Sequence, residues 1–285
     1  MKKGFYSVVV ASAVLGAASM AFAGAYGEPE QPEEIPAPAP AAPAPEPPAP
    51  KILREFNGFL TDAETTRGVW AEIGSIYAAE YHPSSVGNTE AVNTYAHVSY
   101  GTDLFEVGMY APYIYAKQNG VGHEDDFGDL RIWGKVLPFR GENYSAGGGL
   151  EISFPTAGSG LGTDEYGFEP FLTAGTWAGP VALRGTIGYM VFTAPDNLPS
   201  DAYDYLDYNA SALWAAMDNL VVRLEFVGLH LTESEHDPIR LIPGVDYSIP
   251  VGENELVLRP TLGIGLTQAP DWELGMGIAF NVANL

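Results

Sequence analysis

Glu255-Leu256-Val257-Leu258-Arg259-Pro260-Thr261-Leu262-Gly263-Ile264-Gly265-Leu266, followed five residues later by Trp272-Glu273-Leu274-Gly275-Met276-Gly277-Ile278-Ala279-Phe280-Asn281-Val282, reads with a period of two. Leu256, Leu258, Leu262, Ile264 and Leu266 share one face, as do Trp272, Leu274, Met276, Ile278, Phe280 and Val282. The opposite face carries Glu255, Arg259, Thr261, Glu273, Asn281 and small residues. Successive side chains of a strand point to opposite sides, so this is the pattern of strands whose faces meet different surroundings. Val222, Leu224 and Phe226 alternate with Arg223 and Glu225 in the same way, and Ile239, Leu241, Val245 and Tyr247 with Arg240, Gly244 and Asp246.

Working outward, the alternation predicts twelve strands, at about 67–81, 90–100, 104–117, 127–138, 144–155, 166–177, 181–192, 202–216, 220–232, 238–249, 255–266 and 272–283. Tight turns at Gly101-Thr102-Asp103, Phe139 to Asn143, Ala178-Gly179-Pro180, Met217-Asp218-Asn219 and Pro250 to Asn254 alternate with longer connections, most clearly before Asp201. Short turns at one end and long loops at the other describe an antiparallel transmembrane β-barrel with an even number of strands. A soluble sandwich shares the alternation, but not the loop pattern or two aromatic belts. Trp70, Tyr100, Phe105, Tyr144, Trp177 and Trp214 fall near the tight turns; Tyr77, Tyr113, Tyr115, Phe154, Tyr166 and Trp272 fall near the long loops. Both groups are expected to face the two membrane interfaces.

The 285 residues hold 13 Lys+Arg against 36 Asp+Glu, a net charge of −23, which excludes nucleic acid as a partner because phosphate binding needs a basic surface. With no cysteine there is no disulfide framework, thiolate metal site or Cys nucleophile. Lys2 and Lys3, the apolar stretch Val8 to Leu15 and Ala21-Phe22-Ala23 form the three parts of a secretory signal peptide, placed at residues 1–23. Residues 24–52 form a Pro/Ala/Glu-rich linker with 10 of the chain's 23 prolines, too polar for a core. As polyproline II it would reach roughly 80 Å. Residues 53–285 are assigned to the barrel, with both termini periplasmic in a bacterial outer membrane.

Face parity assigns a pore-lining set: Glu72, His97, Glu106, Arg131, Lys135, Glu151, Glu169, Arg184, Asp207, Arg223, Glu225, Arg240, Asp246, Arg259 and Glu273. Six of the 11 bases left after signal removal lie in it. An Arg or Lys facing lipid at mid-membrane costs about 2–4 kcal/mol, so these bases belong inside. Two readings follow. The charges line a narrow aqueous pore for small solutes, or they pair and fill the lumen of a non-conducting structural barrel. An open path along Arg131, Arg184, Arg223, Arg240 and Arg259 would mark the first.

His97-Val98-Ser99 has the spacing of the outer-membrane phospholipase A pair. It sits beside a tight turn, points inward, and has no Asn opposite, a position placed near Ala111, so lipid hydrolysis is a remote alternative and no catalytic residue is assigned. The acidic loops at Glu124-Asp125-Asp126, Asp164-Glu165, Glu233, Glu235 and Asp237 form a solvated rim. Neither they nor His82, His123, His230 and His236 have the spacing of a metal site, and no cofactor is expected. The partners implied are outer-membrane lipids and lipopolysaccharide, a small-molecule solute, and the barrel-assembly machinery, to which Gly277-x-x-Phe280-x-Val282 resembles the terminal signal.

Two further stretches resemble the outer-membrane family of MetA-pathway phenol degradation proteins. Phe127-Gly128-Asp129-Leu130 looks like its Gly-Asp-aliphatic strand opening, and Gly147-Gly148-Gly149-Leu150-Glu151-Ile152-Ser153-Phe154-Pro155-Thr156 with Gly160-Leu161-Gly162-Thr163 like its glycine-rich strand and loop. Ala157 and Asp164 replace two of that pattern's glycines. The resemblance covers about Thr65 to Leu285 and implies an outer-membrane barrel, loosely one for small aromatic or hydrophobic compounds.

Overall fold

The computed structural model describes residues 53–56, 62–80, 89–118, 122–158, 161–193, 204–232, 237–267 and 269–282. The expected signal peptide and linker lie outside the described residues, as do Glu233, Glu235, His82 and His236. Thirteen strands form one antiparallel sheet. They are β1 Gly68–Glu80, β2 Thr89–Gly101, β3 Phe105–Gln118, β4 Gly122–Phe127, β5 Leu130–Arg140, β6 Tyr144–Phe154 and β7 Gly167–Ala178. β8 Val181–Phe192, β9 Tyr205–Met217, β10 Leu220–Leu231, β11 Ile239–Val251, β12 Asn254–Gly265 and β13 Trp272–Val282 complete it.

Every long strand pairs with its sequence neighbour, and β1 pairs with β13 from Val69↔Val282 to Ala79↔Trp272, which closes a barrel of twelve strands. All twelve predicted strands are present, and no helix occurs among the described residues. The thirteenth, β4, pairs only with the far end of β3, from Tyr113↔Phe127 to Gln118↔Gly122, and extends that hairpin beyond the wall. Sequence reading placed it in a loop because its acidic run Glu124-Asp125-Asp126 has no alternation. Gly179 and Gly252 take the left-handed conformation, φ 60° and 65°, that reversing the chain demands in the tight turns after β7 and β11.

The wall is apolar outside and polar inside. Ile73, Leu172, Leu183, Ile187, Leu274 and Ile278 are exposed, while their strand neighbours Glu72, Thr173, Arg184, Thr186, Glu273 and Ala279 are buried. The aromatic belts divide. Tyr100, Phe105, Tyr144 and Trp214 stand on the outer face at the tight-turn end. Trp70 and Trp177 do not: Trp70 is buried inside, its Nε1 donating to Glu72 at 3.0 Å, and Trp177 packs under Arg184. Each shares parity with an interior charge on its own or the next strand, so the alternation outweighs position along the strand. At the long-loop end Tyr77–Trp272 and Phe154–Tyr166 pair as expected of a belt.

The lumen as candidate functional site

The interior has two unlike halves. At the tight-turn end, Leu53–Phe56 and Asp62–Thr66 lie inside the barrel, buried although they belong to no strand. Leu53 packs among Ala182, Leu213 and Val221 on one wall. Across the lumen the Arg54 guanidinium donates to Glu106 at 2.9 Å and Thr66 at 3.0 Å, and Glu106 also accepts from the Thr66 backbone and from the Lys135 ammonium at 3.3 Å.

The two pieces of this segment are held to each other and to the wall by the Asp62 carboxylate. It accepts the backbone N–H groups of Glu55 and Glu64, both at 3.1 Å, and pairs with Arg184 at 2.6 Å. Arg259 donates to the carbonyls of Arg54 at 3.1 Å and Glu55 at 2.8 Å while pairing with Glu72 at 2.7 Å and Asp246 at 3.2 Å. Arg223 bridges Asp246 and Glu225, and Glu225 takes the Phe56 N–H at 2.7 Å. Ser145 donates to the Ala63 carbonyl and Ser211 to the Glu55 carboxylate. The Phe56 ring lies 5.2 Å from the Arg223 guanidinium and 5.4 Å from that of Arg259, and edge-on to Tyr95. Burial, with Asp62 and Glu225 nearby, pushes the Glu55 carboxyl well above its usual range.

Above Phe56, towards the long loops, the lumen opens into a chamber of about 760 Å³. Its walls are Tyr95, Tyr110, Arg131, Glu151, Glu169, Tyr205, Asp207, Asn209, Arg240 and Glu273, among others, and Phe56 is its floor. Tyr95 and Tyr110 stack at 5.4 Å, and the Tyr95 ring lies over Gly74, where a Cβ would collide with it. Arg131 pairs with Glu151 at 3.2 Å and Arg240 with Glu273 at 3.0 Å.

All fifteen residues of the predicted lining set point to the barrel interior; Arg131, Asp207 and Arg240 are half-buried and the rest buried. They do not form one continuous row. Arg131 and Arg240 face the chamber, whereas Arg184 holds Asp62, Arg259 holds Arg54, and Arg223 lies against Phe56. What the sequence reading missed is that segment, which has no period to read, and the interior aromatics. Tyr95 has the parity of His97, and Trp133 that of Arg131 and Lys135, so the same rule identifies them. His97 faces Tyr110 across the β2–β3 ladder, one residue from the expected Ala111, and Ser99 hydrogen-bonds Thr66 at 3.3 Å.

The quoted glycine and threonine motifs meet at the chamber mouth. The Asp129 carboxylate accepts the N–H groups of Ala157 and Thr163, and the Thr163 hydroxyl at 2.9 Å, which draws Leu161 to Thr163 over the lumen. Thr156 accepts the Leu130 N–H at 2.9 Å. A Cβ on Gly162 would crowd Asp129 and Ala157, and one on Gly149 would meet the Phe171 ring.

No family model matches the chain, and no curated protein matches it. Solved structures do. The COG4313 outer membrane channel from Pseudomonas putida F1 superposes with a TM-score of 0.58 at 11% identity, over 76% of this chain and 97% of that one. The transport unit of the autotransporter AIDA-I from Escherichia coli gives 0.50 at 13% identity, over 76% and 90%. At such identities the likeness is one of fold: this chain is a closed twelve-stranded antiparallel barrel of the kind found in bacterial outer-membrane proteins.

Proposed function

We propose that this protein is an outer-membrane channel for passive passage of small solutes, closed at its tight-turn end by Leu53–Phe56 and Asp62–Thr66. The observation that carries this reading is the chemistry of the closure. The occluding residues belong to a separate stretch of chain before β1, held largely by ion pairs and hydrogen bonds, which water can replace. A lumen closed by its own wall would have no removable part. Here one half is already an open chamber, and moving one segment joins it to the other end. The exposed apolar band faces lipid, and the strands, 11 to 14 residues long in the twelve-stranded wall, meet or exceed the roughly 9–11 that a tilted strand needs to cross. Both ends of the barrel wall, Gly68 and Val282, lie on the tight-turn side, which is the periplasmic side in this reading. The resemblance to the MetA-pathway family supports small, partly aromatic solutes.

A second reading has one observation in its favour: the paired charges at the tight-turn end fill the lumen, as in a structural barrel. A disulfide separates the two. A Cβ on Gly175 would lie 3.1 Å from that of Ala63, near the roughly 3.5–4.5 Å of a disulfide, and the chain has no other cysteine. Planar bilayers holding the Ala63→Cys, Gly175→Cys variant should be silent when oxidised and show small discrete conductances after reduction. Wild type that stays silent while correctly folded favours the structural barrel.

A further inference from the structure

We propose that the chamber above Phe56 is a binding site for a small organic cation, a protonated amine on a compact apolar or aromatic body. The site goes beyond passage itself and can exist in a barrel that conducts nothing.

The charges of the chamber do not balance. Arg131 and Arg240 are committed to Glu151 and Glu273. Glu169 and Asp207, on the neighbouring wall, are paired with no base among the described residues. Glu169 is only 4% exposed, lines the chamber and has an oxygen without a hydrogen-bond partner. Asn209 is 7% exposed and its amide oxygen is also unpartnered. Asn93 donates through its amide nitrogen to the Tyr110 hydroxyl at 3.2 Å, which leaves its oxygen unused.

These unused groups are all acceptors. A buried acceptor without a donor is costly, so the ligand that suits the site brings N–H donors and positive charge. An anion would find both arginines already engaged. The remaining wall is aromatic: the Tyr95 and Tyr110 pair, Tyr205, and Phe56 below. Rings of this kind hold a cation by their faces and an apolar body by contact. No group of three or more carboxylate or imidazole side chains among the described residues is arranged to hold a metal ion, which favours an organic cation.

The experiment compares 2-phenylethylammonium with phenylacetate, two probes of similar body and opposite charge, by titration calorimetry on the refolded full chain in detergent. The ammonium should bind at least tenfold more tightly. The Glu169→Gln, Asp207→Asn variant should weaken it at least tenfold, with the thermal unfolding midpoint confirming that the barrel has formed. Equal or tighter binding of phenylacetate overturns the proposal, as does ammonium binding that the variant leaves unchanged, or displacement of the ammonium by equimolar Ca²⁺. Should the variant fail to fold, the contrast between the two probes on wild type decides. Binding is read without passage, so a silent bilayer with intact ammonium binding would sink the channel and leave this site standing.

Discussion

The two halves of the lumen are built from the same kinds of residue and end in opposite conditions. At the tight-turn end, Arg54, Lys135, Arg184, Arg223 and Arg259 face Asp62, Glu72, Glu106, Glu225 and Asp246, and a segment from outside the sheet supplies Arg54 and Asp62. In the chamber, two arginines face a larger set of acids, and among the described residues no base comes from outside the sheet. Face parity puts charge inside the barrel, but it does not decide whether that charge is satisfied. The buried pieces before β1 decide it.

The sharpest way to break this contrast is Asp62→Ala. It removes the carboxylate that joins both pieces of the segment to Arg184, and deleting one member of a buried pair costs roughly 3–5 kcal/mol. Hydrogen exchange at the Glu55 and Glu64 amides should accelerate by about a hundredfold or more, and bilayer conductance should rise. Unchanged exchange would mean that other contacts hold the segment.

A smaller effect is expected at Glu55. Its carboxyl is buried and shifted upward, so the docked segment favours the protonated form. Docking from this group is strongest at low pH and weakens as pH rises through the raised value. The open fraction of wild type should grow, by up to about tenfold per pH unit, as pH rises above the ordinary carboxylate range, while Glu55→Gln stays flat. A variant with the wild-type pH profile would assign the titration elsewhere. The smallest effect belongs outside the lumen. Arg67 pairs with Asp103 at 2.7 Å, but the two are 49% and 71% exposed, so Arg67→Ala should change stability by less than about 1 kcal/mol. A larger loss in the unfolding midpoint would show that the segment's exit from the lumen is itself anchored.

The barrel was legible because its signal is repeated. Twelve alternating runs each repeat the assignment of faces, so an error of a residue or two at an end, as at Thr89 or Met217, changes nothing. Arg259 and Glu72 were placed inside by parity alone, and both are. Their bonds were not legible, since Arg259 and Arg54 are 205 positions apart in the chain and no local pattern links them. Trp70 shows the limit of compositional habit: a tryptophan near a strand end suggests a membrane belt, yet its phase on the strand turns it inward. The stretch that supplies the buried pieces Leu53–Phe56 and Asp62–Thr66 has no phase to read. The burial of those two pieces depends on a cavity made by residues far along the chain.

The pairing of β1 with β13 has a kinetic consequence. The seam joins the first and last strands, so it cannot form until the whole sheet is laid down, and contacts so distant in sequence form slowly. The residues that occupy the lumen run directly into β1, the strand that makes that seam. Closing the wall and stoppering it therefore share one stretch of polypeptide. A nascent barrel that zips shut brings its own cork to the opening in the same movement.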